Sequence, residues 1–313
     1  MPINVFEPKS QFIAQRKQII KAVEKVFNSG NYILGEEVKK LERSFSKIHG
    51  TKFGIAVKNG TDALTIALRV LGIGKGDEVI TTSHTALATI ASIIDVGAKP
   101  VIVDIEKFYY TINPVMIKKA ITRKTKAIIP VHIYGQSCDI FQIKKIAKQN
   151  NINLIEDCSQ SHGGKIKNKS LGSFGQLSTF SFYPTKNVGA ICDGGIILTN
   201  KKSLQKKLIR FREYGWDKRR ITNKPGINSR LDELQAAILN VKLKKFEKSK
   251  HKRVQIANKY LSKIKNQNIL LPKIRCNTTH VFHIFAVMVK NRKKFINYLN
   301  SKNIFPGVHY LKL

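Results

Sequence analysis

The chain has 313 residues with Lys+Arg 56 against Asp+Glu 20, a formal net charge of +36, and its length suits about two domains of roughly 100–200 residues. A composition of 42% hydrophobic and 8% aromatic residues with 20 Gly and 9 Pro excludes disordered, collagen-like and disulfide-stapled classes. No run reaches the ~18 apolar residues of a bilayer span, because Asp95 and Lys99 interrupt Ala86 to Val103, and the start MPINVFEPKSQF lacks a basic region followed by an apolar run.

From Phe12 to Lys47 the apolar residues recur at helical spacing (Ile19, Ile20, Val23, Val26, Phe27, then Val38, Leu41, Phe45), with Asn28-Ser29-Gly30-Asn31 breaking the pattern into two helices. FGIAVKNG reads as a buried strand ending at Gly60, followed by an amphipathic helix Thr61 to Leu71 and the turn GIGKGD. An alternation follows: strand EVITT, helix ALATIASIIDVG, strand PVIVDI, helix Pro114 to Ile121, strand KAIIPVHI, helix Ile140 to Gln149, strand INLIED. Apolar β-branched runs separated by helices predict a mostly parallel sheet covered on both faces, an α/β fold. STFSFYPTKN and GGIILTN read as strands bracketing a loop, a helix begins near Lys202, Ser229 to Lys250 is predicted helical without a break, and HVFHIFAVMV reads as a strand opening a smaller C-terminal region.

Three features bear chemistry. Asp157 ends an apolar strand, at the edge where open α/β sheets bind ligands, and a buried acid there needs a cation or hydrogen bonds to offset desolvation. Gly60 and Thr61 lie at a strand-to-helix junction, where free N–H groups and the helix dipole favour an anion; a helix cap is the plain alternative, since Thr or Asn caps well there. Ser181 stands five residues before Lys186 and can offer a hydroxyl to the same anion. A phosphate site, a carboxylate and an amine nucleophile together match pyridoxal 5'-phosphate.

The segments NGTDALTIALRVLGIGKGDEVITTSHTALAT, GAKPVIVDI, VHIYGQSCDI, LIEDCSQSHGG, STFSFYPTKNVGA, DGGIILTN, REYGW and INSRLDELQAAIL resemble, in that order, the DegT/DnrJ/EryC1/StrS sugar aminotransferases. The resemblance implies a fold-type I architecture and a homodimer with two shared active sites. It also implies transfer of an amino group from an amino acid, usually glutamate, to a nucleotide-linked keto-6-deoxy sugar, with 3-keto substrates favoured over 4-keto ones. By resemblance Lys186 is the Schiff-base lysine and proton shuttle, and Asp157 the partner of the pyridine nitrogen. Gln160 lies beside the cofactor ring, and His162 orients Asp157. Gly60, Thr61 and Ser181 bind the phosphate, joined by Asn228 from the other subunit; the plain alternative for Asn228 is a cap on the following helix. The domains expected are a large cofactor domain over residues 1–245, whose first residues pack with the small domain, and a small α/β domain over 246–313.

Some positions depart from the family pattern. Ala86 stands where many members stack an aromatic on the ring, leaving His84 to flank it, and Cys192 replaces a glycine before Asp193. The chain stops at GVHYLKL, where members typically run on, so a shortened small domain is expected, and a catalytically impaired fragment is one alternative reading.

Other readings fare worse. GIGKGD follows a helix and precedes a strand, the reverse of a dinucleotide fingerprint. KKSLQKK, WDKRR, KLKKFEKSKHKR and NRKK suggest nucleic-acid binding, but no RNP-like or zinc-finger pattern accompanies them, and a solvated surface that helps attract an anionic sugar nucleotide explains them better. Relatives that dehydrate the sugar carry histidine in place of the lysine, which Lys186 opposes. The four cysteines, Cys138, Cys158, Cys192 and Cys276, form no CxxC pair, so no metal is expected and a cytoplasmic setting is.

Overall fold

Seven short apolar runs assemble into one sheet in the computed structural model, which describes residues 2–311. The strands are β1 (Phe53–Val57), β2 (Glu78–Thr82), β3 (Lys99–Val103), β4 (Thr125–Ile128), β5 (Asn153–Asp157), β6 (Leu177–Ser181) and β7 (Gly195–Thr199). Their spatial order is β1-β7-β6-β5-β4-β2-β3, and only β7 runs against its neighbours. The carboxyl ends of β1, β2, β5 and β6 therefore gather on one edge, the edge at which such sheets bind ligands. Register places Gly195 opposite both Val57 and Ser181, and Asp157 opposite Thr179.

Helices cover both faces. Outside the sheet the chain forms α1 (Arg16–Ser29), α2 (Glu36–Ile48), α3 (Gly60–Val70), α4 (Leu87–Asp95), α5 (Pro114–Ala120), α6 (Ile140–Gln149), α7 (Lys202–Phe211), α8 (Glu233–Lys244), α9 (Phe246–Lys263) and α10 (Arg292–Ser301). Two apolar layers result, one built around Leu41, Phe45, Ile80 and Phe180, the other around Leu64, Leu68, Ile93 and Leu208. Burying a large aliphatic or aromatic side chain of this kind is worth about 1.5–3 kcal/mol, which fixes the sheet edge rigidly beneath the site. Gly30 ends α1 in the left-handed conformation, φ 64°, which explains the break read from the sequence. Ile3–Asn4 pairs in parallel with Ile304–Phe305, tying the first residues to the C-terminal region.

Two predicted elements differ. The helix expected from Ser229 starts at Glu233 and is interrupted at Lys245. Its first residues are committed elsewhere: the Glu233 carboxylate accepts the N–H groups of Glu37 (2.9 Å) and Val38 (2.8 Å) and so caps α2, while Ser229 bonds to the α3 N-terminus. Of HVFHIFAVMV, only Met288–Val289 pairs as a strand. Phe282 has φ 43°, and the neighbouring backbone bonds to loops instead: the Val281 N–H donates to the Gly135 carbonyl and its carbonyl accepts from Asn187. This apolar run lines a loop cluster beside Lys186, where burial gives the same signal as a strand.

Candidate active site

An anion cradle forms where β1 enters α3. Asn59 takes the capping role, its side chain accepting the Asp62 N–H at 2.7 Å, and the first bond inside the helix runs from the Ala63 N–H to the Asn59 carbonyl. The N–H groups of Gly60 and Thr61 precede that bond and point to the positive end of the helix dipole. Ser181, at the end of β6, faces them so closely that a Cβ on residue 60 would lie 2.7 Å from the Ser181 Cβ. At Gly195, a Cβ would lie 2.3 Å from the Asn59 carbonyl oxygen. Glycine at both positions is what lets the strand end and the helix start meet.

Asp157 closes β5 with only 4% of its surface exposed. Its carboxylate accepts the Thr89 hydroxyl at 2.9 Å on one oxygen and the Ser159 N–H at 3.0 Å on the other. Lys186 lies in the turn after β6, its N–H bonded to the Tyr183 carbonyl. Desolvation pushes the Lys186 ammonium below the ordinary lysine range, with the charge of Asp157 acting in the opposite direction. A larger share of free amine, beside a buried carboxylate, suits a nucleophile.

A hydrogen-bonded wall borders this pair. The Gln160 side-chain oxygen accepts the Tyr134 N–H at 2.7 Å, and its amide donates to the Tyr310 hydroxyl at 2.9 Å. The Tyr134 hydroxyl meets His84 Nε2 at 2.9 Å and donates to the His309 carbonyl. The rings of His84 and Tyr134 stand edge to face at 5.5 Å. Burial lowers the His84 pKa and raises those of Tyr134 and Tyr310, so this wall is neutral at physiological pH. Ala86 immediately precedes α4, on the loop that carries His84.

One expectation and one plain alternative from the sequence depart from the structure. His162 makes no hydrogen bond to Asp157; among the described residues its two ring nitrogens have no partner, and the ring is enclosed by Phe45, Phe180 and Phe182. Desolvation holds its pKa well below the usual value, so it is a neutral part of the core, and Thr89 makes the contact to Asp157 in its place. Asn228 does not cap a helix, because α8 starts at Glu233 with Asp232 at the cap. It is exposed, while its neighbour Ser229 is buried and bonds to the Asp62 carboxylate at 2.6 Å. Thr89, Tyr134, Tyr310 and His309 were not singled out from sequence: a threonine in an apolar helix and scattered tyrosines carry no spacing signal.

These groups fit pyridoxal phosphate: two free N–H groups and a hydroxyl for the phosphate, a buried carboxylate for the ring nitrogen, and a desolvated lysine for the carbonyl carbon. A sequence profile of the DegT/DnrJ/EryC1/StrS aminotransferase family matches residues 14–313. A dTDP-3-amino-3,6-dideoxy-alpha-D-galactopyranose transaminase of Aneurinibacillus thermoaerophilus is 47% identical over 295 residues, covering 94% of this chain and 81% of that protein. Among solved structures, DesV of S. venezuelae superposes with a TM-score of 0.97 at 35% identity, covering 99% of this chain and 84% of that one. The putative sugar aminotransferase Spr1654 of Streptococcus pneumoniae, in its PLP form, gives 0.88 at 26% identity over 95% of this chain and 83% of that one. Among the described residues no helix is long and apolar enough to cross a membrane.

Proposed function

The chain belongs to the DegT/DnrJ/EryC1/StrS aminotransferase family, and from that premise we propose that it moves an amino group from an amino acid, glutamate foremost, to a dTDP-linked 3-keto-6-deoxy sugar. The observation that carries this reading is the juxtaposition of Lys186, desolvated and half-buried, with the Asp157 carboxylate at the carboxyl edge of the sheet. The similarity to a transaminase of a dTDP-3-amino sugar supports the 3-keto choice.

When bound, pyridoxal phosphate supplies an electron sink for the carbon that loses and regains a proton. In this reading Gly60, Thr61 and Ser181 hold the phosphate, Asp157 holds a proton on the ring nitrogen, and Gln160 and His84 border the ring. Lys186 is the attacking amine and carries the proton between the two reacting carbons. Asn228 completes the phosphate site from the second chain of a homodimer, and residues 246–313, with the first residues of the chain around Ile3–Asn4, form the small domain beside the site. The cysteines are free thiols, which suits the reducing cytoplasm where sugar nucleotides are made.

The test is spectroscopic and then chemical. Purified protein is titrated with pyridoxal phosphate, glutamate is added, and amination of dTDP-linked 3-keto and 4-keto 6-deoxyhexoses is followed by mass. A visible absorption band that glutamate discharges, with amination of the 3-keto sugar, is the expected result. Amination of the 4-keto sugar alone moves the assignment to that substrate, and absence of cofactor uptake ends it.

A further inference from the structure

Thr89 carries a hydroxyl on the first turn of α4, a helix otherwise rich in alanine and isoleucine, and it has no exposed surface. Its oxygen is 2.9 Å from an Asp157 carboxylate oxygen and 2.9 Å from the Thr85 hydroxyl. A carboxylate can only accept, so the single hydrogen of Thr89 is committed to Asp157. That leaves Thr89 as the acceptor from Thr85 and fixes the direction of the chain: Thr85 to Thr89 to Asp157. Thr85 is 1% exposed, so water does not compete for either bond, and bonds aligned in one direction strengthen one another where the dielectric is low.

Resting on the functional reading above, we infer that Thr89, backed by Thr85, is a positioning residue for the reaction. It holds the Asp157 carboxylate aimed, so that the carboxylate retains the proton on the cofactor's ring nitrogen. Thr85 and Thr89 flank Ala86 and follow His84. The segment facing the ring and the acid beneath it are thus one hydrogen-bonded unit. The other groups whose charge acts with Asp157 are Lys186, Tyr310 and Cys158. Burial favours the neutral form of each: the Lys186 amine is shifted down, the Tyr310 hydroxyl up and the Cys158 thiol up to about 12. The threonine pair, with the Ser159 N–H, therefore supplies the hydrogen bonds that compensate the carboxylate.

The experiment uses cofactor labelled with nitrogen-15 in the ring, whose chemical shift reports protonation independently of turnover. In the wild-type holoenzyme the ring nitrogen should stay protonated through neutral pH. In Thr89→Val it should lose its proton at lower pH, with kcat down by about 10- to 100-fold, the range for removing a partner that orients a first ligand. Thr89→Ser should restore both readouts, and Thr85→Val should shift them the same way by less. In an Asp157→Asn background, Thr89→Val should cost nothing further, because the two groups act as one unit. A wild-type nitrogen titration in Thr89→Val, or losses that multiply with Asp157→Asn, overturns the inference. If Thr89→Val does not fold, an unchanged titration in Thr85→Val overturns it equally. Failure of the wild-type chain to bind cofactor instead overturns the functional reading, and the inference falls with it.

Discussion

Gly60 and Ser181 meet across the junction of β1, α3 and β6 with no room for a side chain between them: a Cβ at residue 60 would lie 2.7 Å from the Ser181 Cβ and 3.1 Å from its hydroxyl oxygen. Both contacts are far tighter than van der Waals separation, and the nearer atom is fixed to the backbone, so it cannot swing aside. Gly60→Ala must therefore push the helix start away from the strand end. Overpacking of this kind costs about 1–3 kcal/mol, and here the strain falls on the groups assigned to the phosphate. Pyridoxal phosphate affinity should drop by about 5- to 150-fold, while Ser181→Ala, which removes one hydroxyl and adds no strain, should cost less. Fluorescence titration of the two variants checks this; equal affinity in Gly60→Ala and wild type would place the phosphate elsewhere.

Lys186 should be the attachment point of the cofactor. It is the lysine pushed down by desolvation beside Asp157, and an amine attacks a carbonyl only in its unprotonated form. Reduction of the loaded enzyme with borohydride, followed by peptide mapping, should find the pyridoxyl group on Lys186. The chain's many exposed lysines supply an internal control, since a label on any of them would defeat the assignment.

The sequence made the sheet readable because its strands are apolar, β-branched and bounded by glycine or polar turns, as in EVITT and INLIED. The placement of Asp157, Ser181 and Gly60 was readable because the first two end strands and the third opens a helix on the same edge of the sheet, with Lys186 in the turn that follows Ser181. What escaped were contacts between distant segments. Glu233 caps a helix 196 residues away in the chain, and nothing local distinguishes it from any acid near a helix start. His162 was expected to orient Asp157 by resemblance, yet the turn between them directs the imidazole into the aromatic core. HVFHIFAVMV was read as a strand because hydrophobicity reports burial, and a loop buried against the site buries as much as a strand does.

Acid should destabilise the fold through His49. The ring is fully buried, stacked on Phe45 at 4.4 Å, with Nδ1 3.0 Å from the Phe45 carbonyl and Nε2 accepting the Gly163 N–H at 3.1 Å. Nε2 is thus an acceptor and Nδ1 the donor, which is the neutral ring. Desolvation lowers its pKa from 6.5 to about 4. A histidine whose folded value lies below its unfolded one stabilises the fold fully above 6.5, and that contribution is lost as pH falls from 6.5 towards 4. At about 1.4 kcal/mol per pH unit the loss from this one group is about 3 kcal/mol. His280, lowered to about 3 by burial, steepens the same decline. Urea unfolding between pH 7 and 4 should show it, and His49→Gln should remove about one proton from the slope. An identical slope in that variant would mean the ring remains neutral in both states or charged in both.

Asn228 should act across the interface of a dimer, reaching the phosphate held by Gly60, Thr61 and Ser181 of the other chain. It is exposed on its own chain, at an isolated bridge to Glu213, whereas a phosphate at a helix N-terminus still has lone pairs to satisfy. A neutral amide adds a directed bond there. Lys186→Ala removes the nucleophile, and Asn228→Asp sets a negative charge beside the phosphate and should expel the cofactor. Each variant alone should be inactive. Mixed dimers contain one site with both intact residues and one with neither, so a statistical mixture should recover about a quarter of wild-type activity. Native mass spectrometry establishes that mixed dimers have formed. If they form and stay inactive while both parent dimers are folded, Asn228 serves the site of its own chain, to which Ser229 already anchors its loop through Asp62 and the Lys58 N–H.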